Sequence, residues 1–178
     1  MLEELHIPHR HDRVMPFTQA ARDAVPGGRL PALELRDGTI LQDSTAILSF
    51  LADRYGALSH SPGSVERAVQ DGWTHRVGER IDGPLMNWTI FMQGHGPPPV
   101  PEVRAWVADC LAEGFAAVAE SLPDTSWLTG EEFTIADIVL GHCLHWAERY
   151  QAMPDDARLQ AYLARVRRRP AYLAADSS

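Results

Sequence analysis

Asp43-Ser44 stands immediately before a run of helical periodicity, and it is the pair in this chain best suited to hold a small charged ligand. Backbone N–H groups at a helix start attract a carboxylate, and a serine hydroxyl adds one more donor. An aspartate there would repel that carboxylate but suits an ammonium beside it. A ligand with both charges on one carbon, an amino-acid head group, satisfies both residues. Simple helix capping by Asp or Ser is the competing reading. Leu30-Pro31 precedes a strand, where proline is tolerated because it has no N–H to give a ladder. A trans bond is the general case. A cis bond would instead turn the Leu30 N–H and C=O outward, free to pair with an extended, peptide-like ligand.

The elements that must hold these residues are short up to about residue 56 and long after it. Leu2 to Leu5 reads as the tail of a helix that Pro8 ends, His9 to Met15 as a strand, and Thr18 to Ala24 as a short helix. Pro26-Gly27-Gly28 is a loop signal. Ala32 to Arg36 alternates apolar and polar, Asp37-Gly38 is the favoured two-residue hairpin turn, and Thr39-Ile40-Leu41 returns. The spacing predicts a helix from Ser44 to Tyr55, with Ile47, Leu48, Leu51 and Tyr55 as one apolar stripe and Gly56 ending it. The small, polar stretch 57–63 reads as a linker between domains at residues 1–56 and 64–178. Residues 64–92 then predict a long helix kinked near Gly83-Pro84, where proline removes a hydrogen bond. Gly96-Pro97-Pro98-Pro99 breaks it from a helix over 101–122, and helices over 134–150, 155–168 and 170–175 complete a bundle. Thr134-Ile135-Ala136-Asp137 fits a variant capping box with Phe133 and Ile138 as its staple, which makes Asp137 a folding residue rather than a catalyst.

Composition narrows the function. The chain has 178 residues, of which 45% are hydrophobic, enough to fill the core of one domain or two small ones. A net charge of -8 argues against nucleic acid, because phosphate binding needs a basic face. No apolar run is long enough to cross a bilayer, and Met1 to Leu5 has no signal-peptide character. Cys110 and Cys143 supply neither a disulfide framework nor metal-ligand spacing, so no metal is expected and a reducing cytoplasm is the simplest setting.

Taken in order, Pro26-Gly27-Gly28-Arg29-Leu30-Pro31-Ala32-Leu33, the hairpin, Leu41-Gln42-Asp43-Ser44-Thr45-Ala46-Ile47 and Phe133-Thr134-Ile135-Ala136-Asp137-Ile138 closely resemble the cytosolic glutathione transferase family from about Leu2 to Tyr172. Glutathione is a γ-glutamyl peptide, so its amino-acid head group suits the site at Asp43-Ser44. The resemblance implies an α+β fold, an incomplete thioredoxin-like N-terminal domain followed by an all-α glutathione-transferase C-terminal bundle. It implies that Leu30, before a cis Pro31, pairs its backbone with the cysteinyl part of glutathione, and that Asp43-Ser44 holds the γ-glutamyl end. Arg29 either approaches the ligand carboxylates or is a solvated loop cation. Val25 departs from the asparagine common before the loop proline. Family members begin with a strand, a loop carrying the serine, tyrosine or cysteine that activates the glutathione sulfur, and most of a first helix. Leu2 to Pro8 resembles the end of that helix, so the catalytic residue is expected upstream of Met1. The missing strand is central in the family's sheet, and its neighbours are expected to expose unpaired edges.

The resemblance also places Trp73 and Arg76 on a helix bordering the second-substrate pocket, although the residues themselves favour a core stripe of Trp73 and Val77 with solvated arginines around it. Cys110 and Cys143 read as structural thiols. His6, His9, His11, His142 and His145 read as solvated or packed, and the Arg165-to-Arg169 cluster as dipole complement at a helix end. The implied activity is conjugation of glutathione to a small electrophile, or its glutathione-dependent conversion, by a homodimer. The alternative is a non-catalytic module that keeps the fold and binds or interacts.

Overall fold

The computed structural model describes residues 1–16, 18–93 and 100–177. Met1 to Ile7 closes a single helical turn. Leu5 N–H donates to the Met1 carbonyl (3.0 Å), His6 N–H to Glu3 (3.2 Å) and Ile7 N–H to Leu2 (3.0 Å). His6 is left-handed at φ 51°. A left-handed residue with those crossed bonds is the geometry found where helices end, but Leu2 to Leu5, expected as a helix tail, forms a hydrogen-bonded turn rather than a helix. His9 to Met15, expected as a strand, is not one. A strand needs a partner to satisfy its backbone, and the sheet among the described residues has only two strands, both further along the chain.

Helix α1 (Gln19–Ala24) begins at Thr18, whose hydroxyl accepts from Ala21 N–H (3.2 Å). Ala21 and Val25 are buried beneath a short 3-10 turn, Pro26–Gly28. Strands β1 (Ala32–Glu34) and β2 (Ile40–Gln42) pair antiparallel with Ala32 opposite Gln42 and Leu33 opposite Leu41. The expected two-residue turn at Asp37-Gly38 is a three-residue loop instead. Such a turn needs positive φ at both central residues, and Gly38 (φ 84°) alone has it here. Leu35 consequently bonds both Gly38 N–H (2.9 Å) and the Thr39 carbonyl (2.8 Å).

Helix α2 (Ser44–Tyr55) ends at left-handed Gly56, φ 62°. Its buried stripe is Leu48, Leu51 and Ala52, while Tyr55, expected in the stripe, is 50% exposed. The stretch 57–63 is pinned to the helices that follow. Fully buried Gln70 accepts from His60 N–H (3.0 Å) and donates to the Ser59 hydroxyl (3.0 Å). Ile135 N–H donates to the Leu58 carbonyl (2.8 Å).

Helix α3 (Val65–Val77) runs through a π-turn, Gly78–Asp82, into α4 (Gly83–Gln93). Arg67 on α3 pairs with Asp53 of α2 (2.7 Å) and with Asp71 (3.0 Å), tying the two helices together. The irregularity therefore precedes Gly83-Pro84 rather than falling on it. Pro84 has no N–H for the carbonyl of Arg80 and its ring would strike that oxygen. Widening the turn before it, with Gly83 N–H bonded to the Gly78 carbonyl, keeps the helix continuous. The expected break at Gly96 to Pro99 lies outside the described residues.

Helices α5 (Pro101–Ser121), α6 (Ile135–Arg149), α7 (Ala157–Arg167) and α8 (Pro170–Ser177) complete the bundle. The core surrounds α6, whose Ile135, Leu140, Cys143 and Leu144 are at most 1% exposed and meet Val77, Ile81, Phe115 and Leu159. At the N-terminus of α6 the Asp137 carboxylate accepts from Thr134 N–H (2.7 Å) and from the Thr134 hydroxyl (2.9 Å). Among the described residues no helix is long and apolar enough to cross a membrane.

Candidate functional site

The hairpin register brings the two halves of the site together. With Ala32 opposite Gln42, the segments flanking that pair, Leu30-Pro31 and Asp43-Ser44, emerge at the same end of the hairpin. The Leu30–Pro31 peptide bond is cis. Leu30 N–H and C=O make no hydrogen bond to any described residue. An unpaired backbone donor and acceptor on one residue must face water or a ligand. Arg29 is exposed on the same loop.

Asp43 sits at φ 73°, ψ 124°, a region that L side chains rarely adopt. Its Oδ1 accepts from Thr45 N–H (3.0 Å), Ala46 N–H (3.0 Å) and the Thr45 hydroxyl (2.6 Å). Capping of α2 by Asp43 is thus what the geometry contains, and Oδ2 takes none of these bonds. The Thr45 hydroxyl first, then the Ala46 N–H, hold the carboxyl below its usual range, so Asp43 is an anion near neutral pH. Ser44, the first residue of α2, is exposed and its hydroxyl has no hydrogen-bond partner among the described residues. One anionic oxygen, one free hydroxyl and one free backbone edge therefore converge at the end of the hairpin.

Sequence reasoning missed Gln42. Its side-chain amide donates to the Pro26 carbonyl (3.0 Å) and reaches the Arg29 carbonyl at 3.5 Å. No local pattern signals a tie across sixteen residues (42 minus 26), since a glutamine at a strand end looks like any solvated amide.

Trp73 and Arg76 do not join this cluster by any bond the structure contains. Trp73 is 8% exposed within the core, and the Arg76 guanidinium lies over its ring at 4.7 Å. A cavity of about 290 Å³ opens elsewhere, between the N-terminal turn, α6 and α8, and Met1, Glu4, Ile138, His142, His145 and Tyr172 line it. His145 Nδ1 lies 2.9 Å from the Tyr172 hydroxyl and 3.1 Å from Arg167 Nη2. A guanidinium only donates, so toward Arg167 the Nδ1 atom is the acceptor. Arg169 is held by Glu4 (2.6 Å) and covers the Phe133 ring at 3.7 Å. The Cys143 thiol donates to Asp82 (3.8 Å), and burial pushes its pKa well up, the opposite of an activated nucleophile. Burial likewise raises the Asp82 carboxyl.

A hairpin whose end carries free polar groups is thus followed by a helical bundle centred on one buried helix. Comparison with known proteins places this arrangement in a family. Residues 1–54 match the family model described as the glutathione S-transferase N-terminal domain, and residues 101–165 match the one for its C-terminal domain. The chain is 34% identical over 137 residues to a maleylacetoacetate isomerase of Pseudomonas aeruginosa, covering 73% of this chain and 62% of that relative. It is 29% identical over 148 residues to a glutathione S-transferase of Escherichia coli O157:H7, covering 82% and 71%. A sphingomonad glutathione S-transferase solved with glutathione superposes with a TM-score of 0.71 at 28% identity, over 84% of this chain and 73% of that one. This chain belongs to the glutathione transferase family. Its fold is accordingly α+β, with part of a thioredoxin-like domain followed by the family's helical bundle.

Proposed function

We propose that this chain binds glutathione and acts as a glutathione transferase, joining the tripeptide to a small electrophile or converting the electrophile with its help. The observation that carries this reading is the free Leu30 backbone edge beside the free Ser44 hydroxyl at the start of α2. In the proposed complex the Leu30 N–H and C=O pair with the cysteinyl residue, as a neighbouring strand would. The γ-glutamyl carboxylate sits against Ser44 and the first N–H groups of α2, and its ammonium against Asp43. Arg29 approaches the ligand carboxylates in this reading, with Pro31 holding the bend beside Leu30. The transferase relative and the sphingomonad structure carry glutathione in their names and support it as the chemical partner, while the isomerase among the relatives leaves the reaction and the electrophile open. A role for Trp73 and Arg76 toward the second substrate rests on the family resemblance, as does a homodimer, while the division at 57–63 rests on that stretch's small, polar composition. We assign sulfur activation to no residue of this chain.

Calorimetric titration with glutathione tests the binding. Ser44→Ala is expected to weaken it by about 1–3 kcal/mol, the cost of removing a hydroxyl from a charged acceptor. Equal affinity of the two proteins would remove Ser44 from the site. Turnover of an aryl halide with glutathione supports the transferase reading, whereas saturable binding without turnover reduces the chain to a glutathione-binding module.

A further inference from the structure

The two halves of the proposed site lie on different segments, and something must hold them in register. The 26–29 loop has few internal means of doing so. Its own backbone closes one bond, Gly28 N–H to the Val25 carbonyl (3.0 Å). Val25 is apolar and 6% exposed, so its side chain anchors the loop by packing and offers no hydrogen bond. On the side of α1 the loop is packed tight, since a Cβ at Gly28 would lie 2.9 Å from Arg22 Cγ. The polar tie comes from across the hairpin, from the Gln42 amide.

We infer that Gln42 is a positioning residue, whose amide fixes the 26–29 loop so that Leu30 presents its backbone to glutathione while Asp43 and Ser44 hold the other end. This rests on the proposed function. Gln42 is suited to the task by its place in the chain: it ends β2 and is followed directly by Asp43. Its side chain therefore couples the cysteinyl half of the site to the γ-glutamyl half through one residue. The bond to the Pro26 carbonyl, at 3.0 Å, is of ordinary length; the approach to the Arg29 carbonyl, at 3.5 Å, is long and acts by orienting that dipole. In a trans peptide the C=O and the following N–H point in opposite directions. Drawing the Arg29 oxygen toward Gln42 accordingly aims the Leu30 N–H away from the hairpin, where the ligand would lie.

The test uses Gln42→Glu, which keeps the shape but faces two carbonyl oxygens with an acceptor, and Gln42→Leu, which removes the donor without adding charge. Two probes are titrated by NMR, glutathione and γ-glutamylethylamide, the latter having the γ-glutamyl end without a cysteinyl-glycine. Both variants should bind glutathione about fivefold or more weakly. They should bind γ-glutamylethylamide as the unaltered chain does, and melt within about 3 °C of it. Unchanged glutathione affinity in both variants, with binding by the unaltered chain intact, overturns the positioning role and leaves the proposed function standing. Equal weakening of both probes also overturns it, because Gln42 would then act on Asp43-Ser44 alone. No binding of either probe to the unaltered chain is the separate failure of the proposed function, and takes this inference with it.

Discussion

Asp137→Ala is expected to lower folding stability by roughly 3–5 kcal/mol, the range for removing one member of a buried charged network. A urea titration followed by circular dichroism reads it. The carboxylate is fully buried. Its Oδ2 accepts from Thr134 N–H and hydroxyl, and its Oδ1 from Leu128 N–H (2.8 Å) and the Tyr162 hydroxyl. Alanine strands all of these donors at once, in the part of the molecule where α6, α7 and the 127–134 loop meet. Each buried unsatisfied group costs about 1–3 kcal/mol, and partial hydration of the void brings the sum down to the range given. Asn preserves the volume but turns an amide donor toward one pair of donors, so Asp137→Asn should lose less than alanine and still clearly destabilise. A loss below about 1 kcal/mol for alanine would mean that these donors find other partners. The same network sets an alkaline limit. Burial first, and then the neighbouring Asp137 charge, raise the Tyr162 phenol above its ordinary value. A folded-state pKa above the unfolded one contributes stability that is complete below about pH 10 and lost as the pH rises further, because the unfolded chain ionises first. Tyr162→Phe should flatten that alkaline decline.

The contrast between Asp137 and the rest shows which features of this chain are legible in one dimension. A capping box needs partners three residues apart, so Thr134 and Asp137 announce themselves. The hairpin is equally local, and its register alone brings Leu30 and Ser44 to one end. The reach of the Asp137 carboxylate to Leu128 and Tyr162 is not local, and the capping motif gives no hint of it. Gln42 is invisible for the same reason: its partner, Pro26, is fixed only once the strands pair. His9 to Met15 shows the limit of reading a segment alone, since being a strand is a property of a pair and no partner strand is present for it among the described residues. Tyr55 shows the converse limit, since helical spacing defines a stripe but not how far a neighbouring surface extends to cover it. In the candidate site the residue types were readable, and the free or engaged state of each polar group was not. The Asp43 oxygen that caps α2 and the Ser44 hydroxyl that caps nothing are adjacent in sequence and differ only in three dimensions.

Pro84 and Gly114, far apart in sequence, carry the other large effect. Proline at 84 deprives the Arg80 carbonyl, which lies within the π-turn over Gly78–Asp82, of its helical donor. That carbonyl lies against α5 at Gly114, where an added Cβ would lie 2.0 Å from the Arg80 oxygen and 2.9 Å from its carbonyl carbon. No side-chain rotation relieves a clash with backbone on both sides, so either α5 or the π-turn must shift. Gly114→Ala should therefore cost about 3 kcal/mol or more, at or beyond the upper end of ordinary overpacking and opposite in sign to the gain alanine brings to an exposed helix. The coupling is the sharper test. Pro84→Ala restores an N–H at 84, lets the Arg80 oxygen return to a regular helical bond, and withdraws it from Gly114. In a double-mutant cycle by urea denaturation, Gly114→Ala should then be milder in the Pro84→Ala background than alone, with a coupling of about 1 kcal/mol or more. Strict additivity would show that the π-turn persists without its proline, and that the close approach at Gly114 is imposed by the packing of α5 rather than by the missing N–H.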